Sequence, residues 1–139
     1  MRYLIYFLFF LVACNSGENY QNTSNLIDNN AQISVENNIF NFGEIIQGEK
    51  VTAQFTIKNT GSSDLIIVNV KTSCGCTAAS WNKNPLTSGR EEVIEVTFNS
   101  ENKIGKQEKT VSLLTNATPN TTILTIIGNV IVPEKKLKR

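Results

Sequence analysis

From Ile33 onward the chain never repeats its apolar residues at the three-and-four spacing of a helix. Short apolar alternations take that place, cut by turn formers about every 8 to 15 residues. The clearest is residues 51–58, Val-Thr-Ala-Gln-Phe-Thr-Ile-Lys, where Val51, Ala53, Phe55 and Ile57 share one face and polar residues the other. It stops at Asn59-Thr60-Gly61-Ser62-Ser63-Asp64, a cluster of turn formers, and a β-branched run over residues 65–70 follows. Residues 92–98 set Ile94, Val96 and Phe98 on one face, and residues 109–114 present Val111 and Leu113. After the turn Asn116-Ala117-Thr118-Pro119-Asn120, residues 122–132 read as a long apolar strand broken by Gly128. An earlier piece, residues 39–45, brings Phe40 and Phe42 to the core before a glycine turn at Gly48. About seven strands on short loops predict an all-β chain, an antiparallel two-sheet sandwich of immunoglobulin-like type rather than a barrel.

With 139 residues the chain holds one domain and not two. Lys plus Arg number 13 against 12 acidic residues, so a net charge of +1 gives no reason to expect nucleic acid as a partner. There is no histidine, which removes Ser-His and Cys-His nucleophiles and histidine metal ligands together. At 40% hydrophobic and 18% charged, the composition suits an ordinary core.

Met1-Arg2 and the apolar run over residues 3–12 have the layout of a secretory signal, and the run is too short for a permanent membrane span. Leu11-Val12-Ala13-Cys14 then resembles the lipobox of bacterial lipoprotein precursors. The resemblance makes residues 1–13 a cleaved signal peptide and Cys14 the mature, diacylglyceryl-bearing N-terminus. Two or more acyl chains attach a protein stably to a bilayer. Residues 14–32 are polar and read as a tether with a reach of roughly 20–25 Å. Inner-membrane lipoproteins commonly carry aspartate after the lipidated cysteine; Asn15 here tilts the expectation within the cell envelope toward the outer membrane. The basic tail, residues 133–139 with Lys135, Lys136, Lys138 and Arg139, reads as a solubilising extension or as a contact for anionic headgroups.

The order Phe42-Gly43-Glu44-Ile45, Gly48-Glu49, Phe55-Thr56-Ile57-Lys58-Asn59-Thr60-Gly61 and Ser73-Cys74-Gly75-Cys76-Thr77 resembles the bacterial family of domain of unknown function 1573 (DUF1573). The likeness continues through Gly105, Thr115-Asn116 and Gly128-Asn129-Val130, and the folded domain is set at residues 33–132. It implies an immunoglobulin-like sandwich of the major-sperm-protein and ASPM/SPD-2/Hydin kind, frequent in envelope lipoproteins. The family usually has Pro-Gly before the strand at Glu92; Ser88-Gly89 stands here, so the shape of that loop is not carried over.

Cys74 and Cys76 hold the concentrated reactive chemistry. In a strand both would face one side, and a disulfide is possible if Gly75 takes a turn conformation closed to larger residues. Closing so small a loop is worth about 1.6 kcal/mol in chain entropy, a weak staple. Three readings stand: a local structural constraint, thiol exchange, or capture of a soft metal with further ligands from elsewhere. Trp81 reads as loop or core packing, with an exposed recognition anchor as the alternative. Glu91 and Glu95 fall on the face opposite Glu92, which argues for a solvated strand rather than a carboxylate pair. The Asn-x-Ser/Thr matches at Asn22, Asn116 and Asn120 carry little meaning in a bacterial chain.

The expectation is therefore a lipid-anchored envelope module that binds or organises a partner protein, with no catalytic residues, cofactor or metal. The competing expectation is a thiol-redox or soft-metal protein acting through Cys74-Gly75-Cys76.

Overall fold

The computed structural model describes residues 30–133, so Cys14, Asn22 and the basic tail beyond residue 133 lie outside the described residues. Eight strands follow in order: β1 (Ile33–Val35), β2 (Ile39–Ile46), β3 (Lys50–Asn59), β4 (Ile67–Thr72), β5 (Thr77–Ser80), β6 (Glu91–Asn99), β7 (Gly105–Thr115) and β8 (Thr121–Ile131). They form two four-stranded sheets, the first in the order β1-β3-β6-β5 and the second β2-β8-β7-β4. The all-β, immunoglobulin-like sandwich read from the sequence is what the chain forms.

The alternation places the core as expected. Ala53, Phe55 and Ile57 of β3 and Ile94, Val96 and Phe98 of β6 are buried from one side, and Val111, Leu113, Leu124, Ile126 and Val130 of β7 and β8 from the other. Each full burial of a large side chain is worth about 1.5–3 kcal/mol relative to exposure. Phe40 and Phe42 pack against this core from β2.

The structure departs from the sequence reading in four places. Two strands of three and four residues, β1 and β5, are too short to show an alternation. The strand expected from residue 65 begins at Ile67; Leu65 instead exchanges two backbone hydrogen bonds with Leu86 (2.9 and 2.8 Å), a bridge with a residue of the next long loop. Gly128 does not break β8, because it keeps its register opposite Gln107. And one pair is parallel: the leading segment runs antiparallel to β3 as β1, switches sheets over residues 36–38, and continues as β2 alongside β8 in the same direction.

The registers define two ends. At the base lie Asn30, where the described chain begins, the β3–β4 loop and the β7–β8 turn; Ser62 N donates to Asn30 O and Asn116 Nδ2 to Asp64 O. At the tip lie the β2–β3 turn, the β6–β7 loop and the end of β8, joined by Ser100, whose hydroxyl accepts from Gly48 N (2.9 Å) and donates to Glu49 O (2.7 Å). Strands of this register length separate the ends by about 27 Å.

Candidate functional site

The Cys74-Gly75-Cys76 loop joins β4 at the edge of the second sheet to β5 at the edge of the first. A disulfide links the two cysteines, with Cα atoms 5.3 Å apart. Backbone bonds fix the loop on both sides: Ser73 N donates to Thr110 O, Asn99 N to Cys76 O, and Thr77 N back to Cys74 O. Thr77 is buried and sets its hydroxyl 3.4 Å from Cys74 Sγ. A disulfide sulfur only accepts, so the hydroxyl is the donor. Gly75 departs from expectation, since it lies outside the left-handed region and a Cβ there would meet nothing within 4 Å. The bridge closes without a conformation reserved for glycine. With the sulfurs bonded to each other, neither thiolate that a soft metal requires is present. No cluster of three or more metal-ligating side chains occurs among the described residues.

The remaining sequence candidates are dispersed. Trp81 packs half-buried against the core, its Nε1 enclosed without a hydrogen-bond acceptor. Glu91 pairs with Lys58 across the first sheet (3.2 Å), Glu95 accepts from Gln54 Nε2 (3.0 Å), and Glu92 has the opposite parity, so no acid pair forms. Asn116 is structural, with its amide bonded to Asp64 O and its Oδ1 to Ile66 N.

The outer faces of the two sheets differ sharply. On the first, polar side chains pair across strands: Thr52 with Thr97, Gln54 with Glu95, Lys58 with Glu91. On the second, or flanking it, stand eight of the nine exposed large aliphatics, Val93 being the exception. Toward the tip, a recess of about 600 Å³ is lined by Asn41, Gly43, Lys106, Gln107, Glu108, Ile127, Gly128 and Asn129. It lies where β2 bulges between Asn41 and Glu44, with Gly43 at φ +70°. Beyond it, Ile46 opposes Ile131, and Ile104, 67% exposed, precedes β7. Sequence reasoning did not single out these residues as a site, and Gly43, Gly128 and Asn129 entered it only through the family resemblance and the strand pattern. The available signal was the last strand, which is apolar on both parities, Ile123, Ile127 and Ile131 as well as Leu124, Ile126 and Val130.

A family model described as a protein of unknown function, DUF1573, matches residues 33–130. The chain belongs to the DUF1573 family. Residues of this DUF1573 domain that carried the resemblance turn out to hold the fold. Asn59 is fully buried; its Nδ2 donates to Ser63 O and Leu86 O (both 2.8 Å) and its Oδ1 accepts from Gly61 N (2.9 Å). A Cβ on Gly61 would collide with the Asn30 carbonyl oxygen, and one on Gly128 would enter the Phe42 ring. At the departure from the DUF1573 pattern, Gly89 has φ +75° and Arg90 N donates to Thr87 O, a type II turn. Ser88 occupies the position proline would favour and donates its hydroxyl to Gly61 O (2.6 Å).

No curated protein matches the DUF1573 chain. Similar solved structures include a protein of unknown function from Porphyromonas gingivalis W83, at TM-score 0.63 and 14% identity over 71% of this chain and 46% of that one. The ASH/PapD-like domain 7 of human CEP192 aligns at TM-score 0.56 and 15% identity, over 76% and 89% of the two chains. The Vibrio cholerae VesB protease aligns at TM-score 0.55 and 18% identity, over 73% of this chain and 32% of its own. The DUF1573 chain thus spans less than half of the Porphyromonas protein and about a third of the protease. At these identities the likenesses show the sandwich alone. The family and the immunoglobulin-like fold fit a non-catalytic module.

Proposed function

We propose that the protein is a lipid-anchored module of the bacterial cell envelope, held through Cys14, that binds a partner protein without catalysing a reaction. Asn15 after Cys14 supports placement in the outer membrane. The observation behind the binding role is the tip half of the second sheet's outer face. There the recess lined by Ile127 and Gly128, with Asn41, Asn129, Lys106 and Glu108 around them, adjoins the exposed Ile46, Ile104 and Ile131. An apolar centre with a polar, charged rim is the anatomy of protein interfaces.

The test has two arms. Cells fed an alkyne fatty acid should label the wild-type chain and not Cys14→Ala. A photo-cross-linking residue at Glu108, which is exposed on this face, should capture a discrete partner in intact cells, and Ile104→Ser with Ile131→Ser should abolish that capture. Labelling without capture at Glu108 sinks the binding role, and absence of labelling sinks the anchor.

A further inference from the structure

The base half of the same face has a different chemistry from the tip half. Ser112 opposes Ile123, Leu114 opposes Thr121, and Ile39 opposes Thr125. Ile39, Ile123 and Leu114 are therefore diagonal neighbours along one face of β2, β8 and β7. The irregularity between Ile67 and Asn69 exposes Val68 beside Leu114, and Ile66 precedes it. Exposures of 48% for Ile39, 42% for Ile123, 37% for Leu114, 62% for Val68 and 42% for Ile66 make an aliphatic stripe across all four strands.

The residues interleaved with the stripe on this face, Thr121, Ser112, Thr125 and Asn69, are polar and uncharged. The β7–β8 turn, residues 116–120, also carries no charge. Charges reach the rim at Lys71, Asp64 and Glu36, while Glu44, Lys106 and Glu108 lie toward the tip. Lysine at a rim keeps its ammonium in water while its stem lies on apolar surface.

The stripe lies at the end where the described residues begin. Asn30 meets Ser62 at the base, and sixteen residue steps separate it from Cys14. The tether expected from the sequence would have, over that length, a root-mean-square span of about 20–24 Å. An acylated Cys14 thus keeps the base close to the bilayer, where even a weak surface contact is favoured by effective concentration.

We propose that this stripe is a bilayer-contact surface: Ile39, Ile123, Leu114, Val68 and Ile66 insert at the boundary of headgroups and acyl chains, so that the domain tilts the base half of this face onto the bilayer. The proposal rests on the lipid anchor above. Aliphatic side chains framed by uncharged hydroxyl and amide groups fit the interfacial layer, where burial of apolar area drives attachment. This orientation turns the tip, with its recess and the Cys74–Cys76 corner, away from the membrane.

The full chain, purified with its native modification, is reconstituted into vesicles of phosphatidylethanolamine and phosphatidylglycerol that contain a lipid with a photoactivatable acyl chain. After illumination, cross-linked peptides are mapped by mass spectrometry, and the mass of the N-terminal peptide reports acylation of Cys14. The expected result is lipid on peptides holding Ile39, Val68, Leu114 and Ile123 and not on those holding Ile104, with loss of the stripe cross-links in Leu114→Thr/Ile123→Thr. Both substitutions are at exposed positions, and circular dichroism confirms that the variant is folded. Acylated Cys14 with lipid cross-links only in residues 14–29, or at Ile46, Ile104 and Ile131, overturns the bilayer contact and leaves the anchor standing. Cross-links joining the stripes of two copies overturn it in favour of self-association. Unmodified Cys14 overturns both the anchor and the contact.

Discussion

Phe42, on the second sheet, and Phe98, on the first, stack with ring centroids 5.6 Å apart and planes 21° from parallel. The stack crosses the sandwich at the point where Gly128 leaves room for it, since a Cβ at that position would occupy the Phe42 ring. Gly128→Ala is expected to cost about 1–3 kcal/mol through overpacking, read as a lower urea midpoint at unchanged slope. In a Phe42→Ala background most of that cost should vanish, because the clash goes with the ring. Equal costs in both backgrounds would show that Gly128 is needed for another reason.

Asn59 satisfies three backbone groups of the base from a site closed to water. Asn59→Ala strands Gly61 N–H and takes one bond each from the Ser63 and Leu86 carbonyls, the latter keeping its bond from Leu65 N, at an expected cost of about 1–3 kcal/mol. Asn129→Ala, which removes one exposed bond to Glu44, should stay within about 0.5 kcal/mol. Denaturation of the two variants side by side checks the contrast.

The loop closed by Cys74 and Cys76 is short, so Cys74→Ser/Cys76→Ser should lower stability by no more than about 1.6 kcal/mol. The wild-type chain with and without reductant should reproduce the same shift in melting temperature. A much larger loss would mean that the bridge organises the β4–β5 connection beyond its own ring.

Gly75 and Gly89 look alike in sequence and differ in backbone. Gly75→Ala meets open space outside the left-handed region and should change stability by less than about 0.5 kcal/mol. Gly89→Ala must hold φ +75° and should cost about 1–2 kcal/mol. Thermal unfolding of the two variants is sufficient to tell.

The long strands were legible because their period of two ran for eight or more residues, and Phe55, Ile94 and Leu113 are buried as their parity demands. The short strands β1 and β5 were not, because three or four residues fit any pattern, and their pairing depends on partners distant in sequence. The parallel β2–β8 pair follows from the sheet switch at residues 36–38, a three-dimensional event that Glu36-Asn37-Asn38 signals merely as a break. The motif that carried the family resemblance was visible, yet its roles were not. Asn59, Gly61 and Gly128 proved to be packing devices, and the bond between Cys74 and Cys76 formed without the glycine conformation expected of it. The recess at the tip draws on β2, β7 and β8, so no contiguous stretch of sequence announces it.

The sheet switch near the N-terminus also has a mechanical meaning. One continuous segment is zipped to β3 in one sheet and to β8 in the other. In the arrangement proposed above, tension between a membrane-held base and a partner-held tip would run along the strands. The ladder bonds of β2 to β8 then resist that tension together, in shear, where bonds peeled from one end would yield in turn. A small domain built this way can transmit pull between two attachments while keeping its core closed.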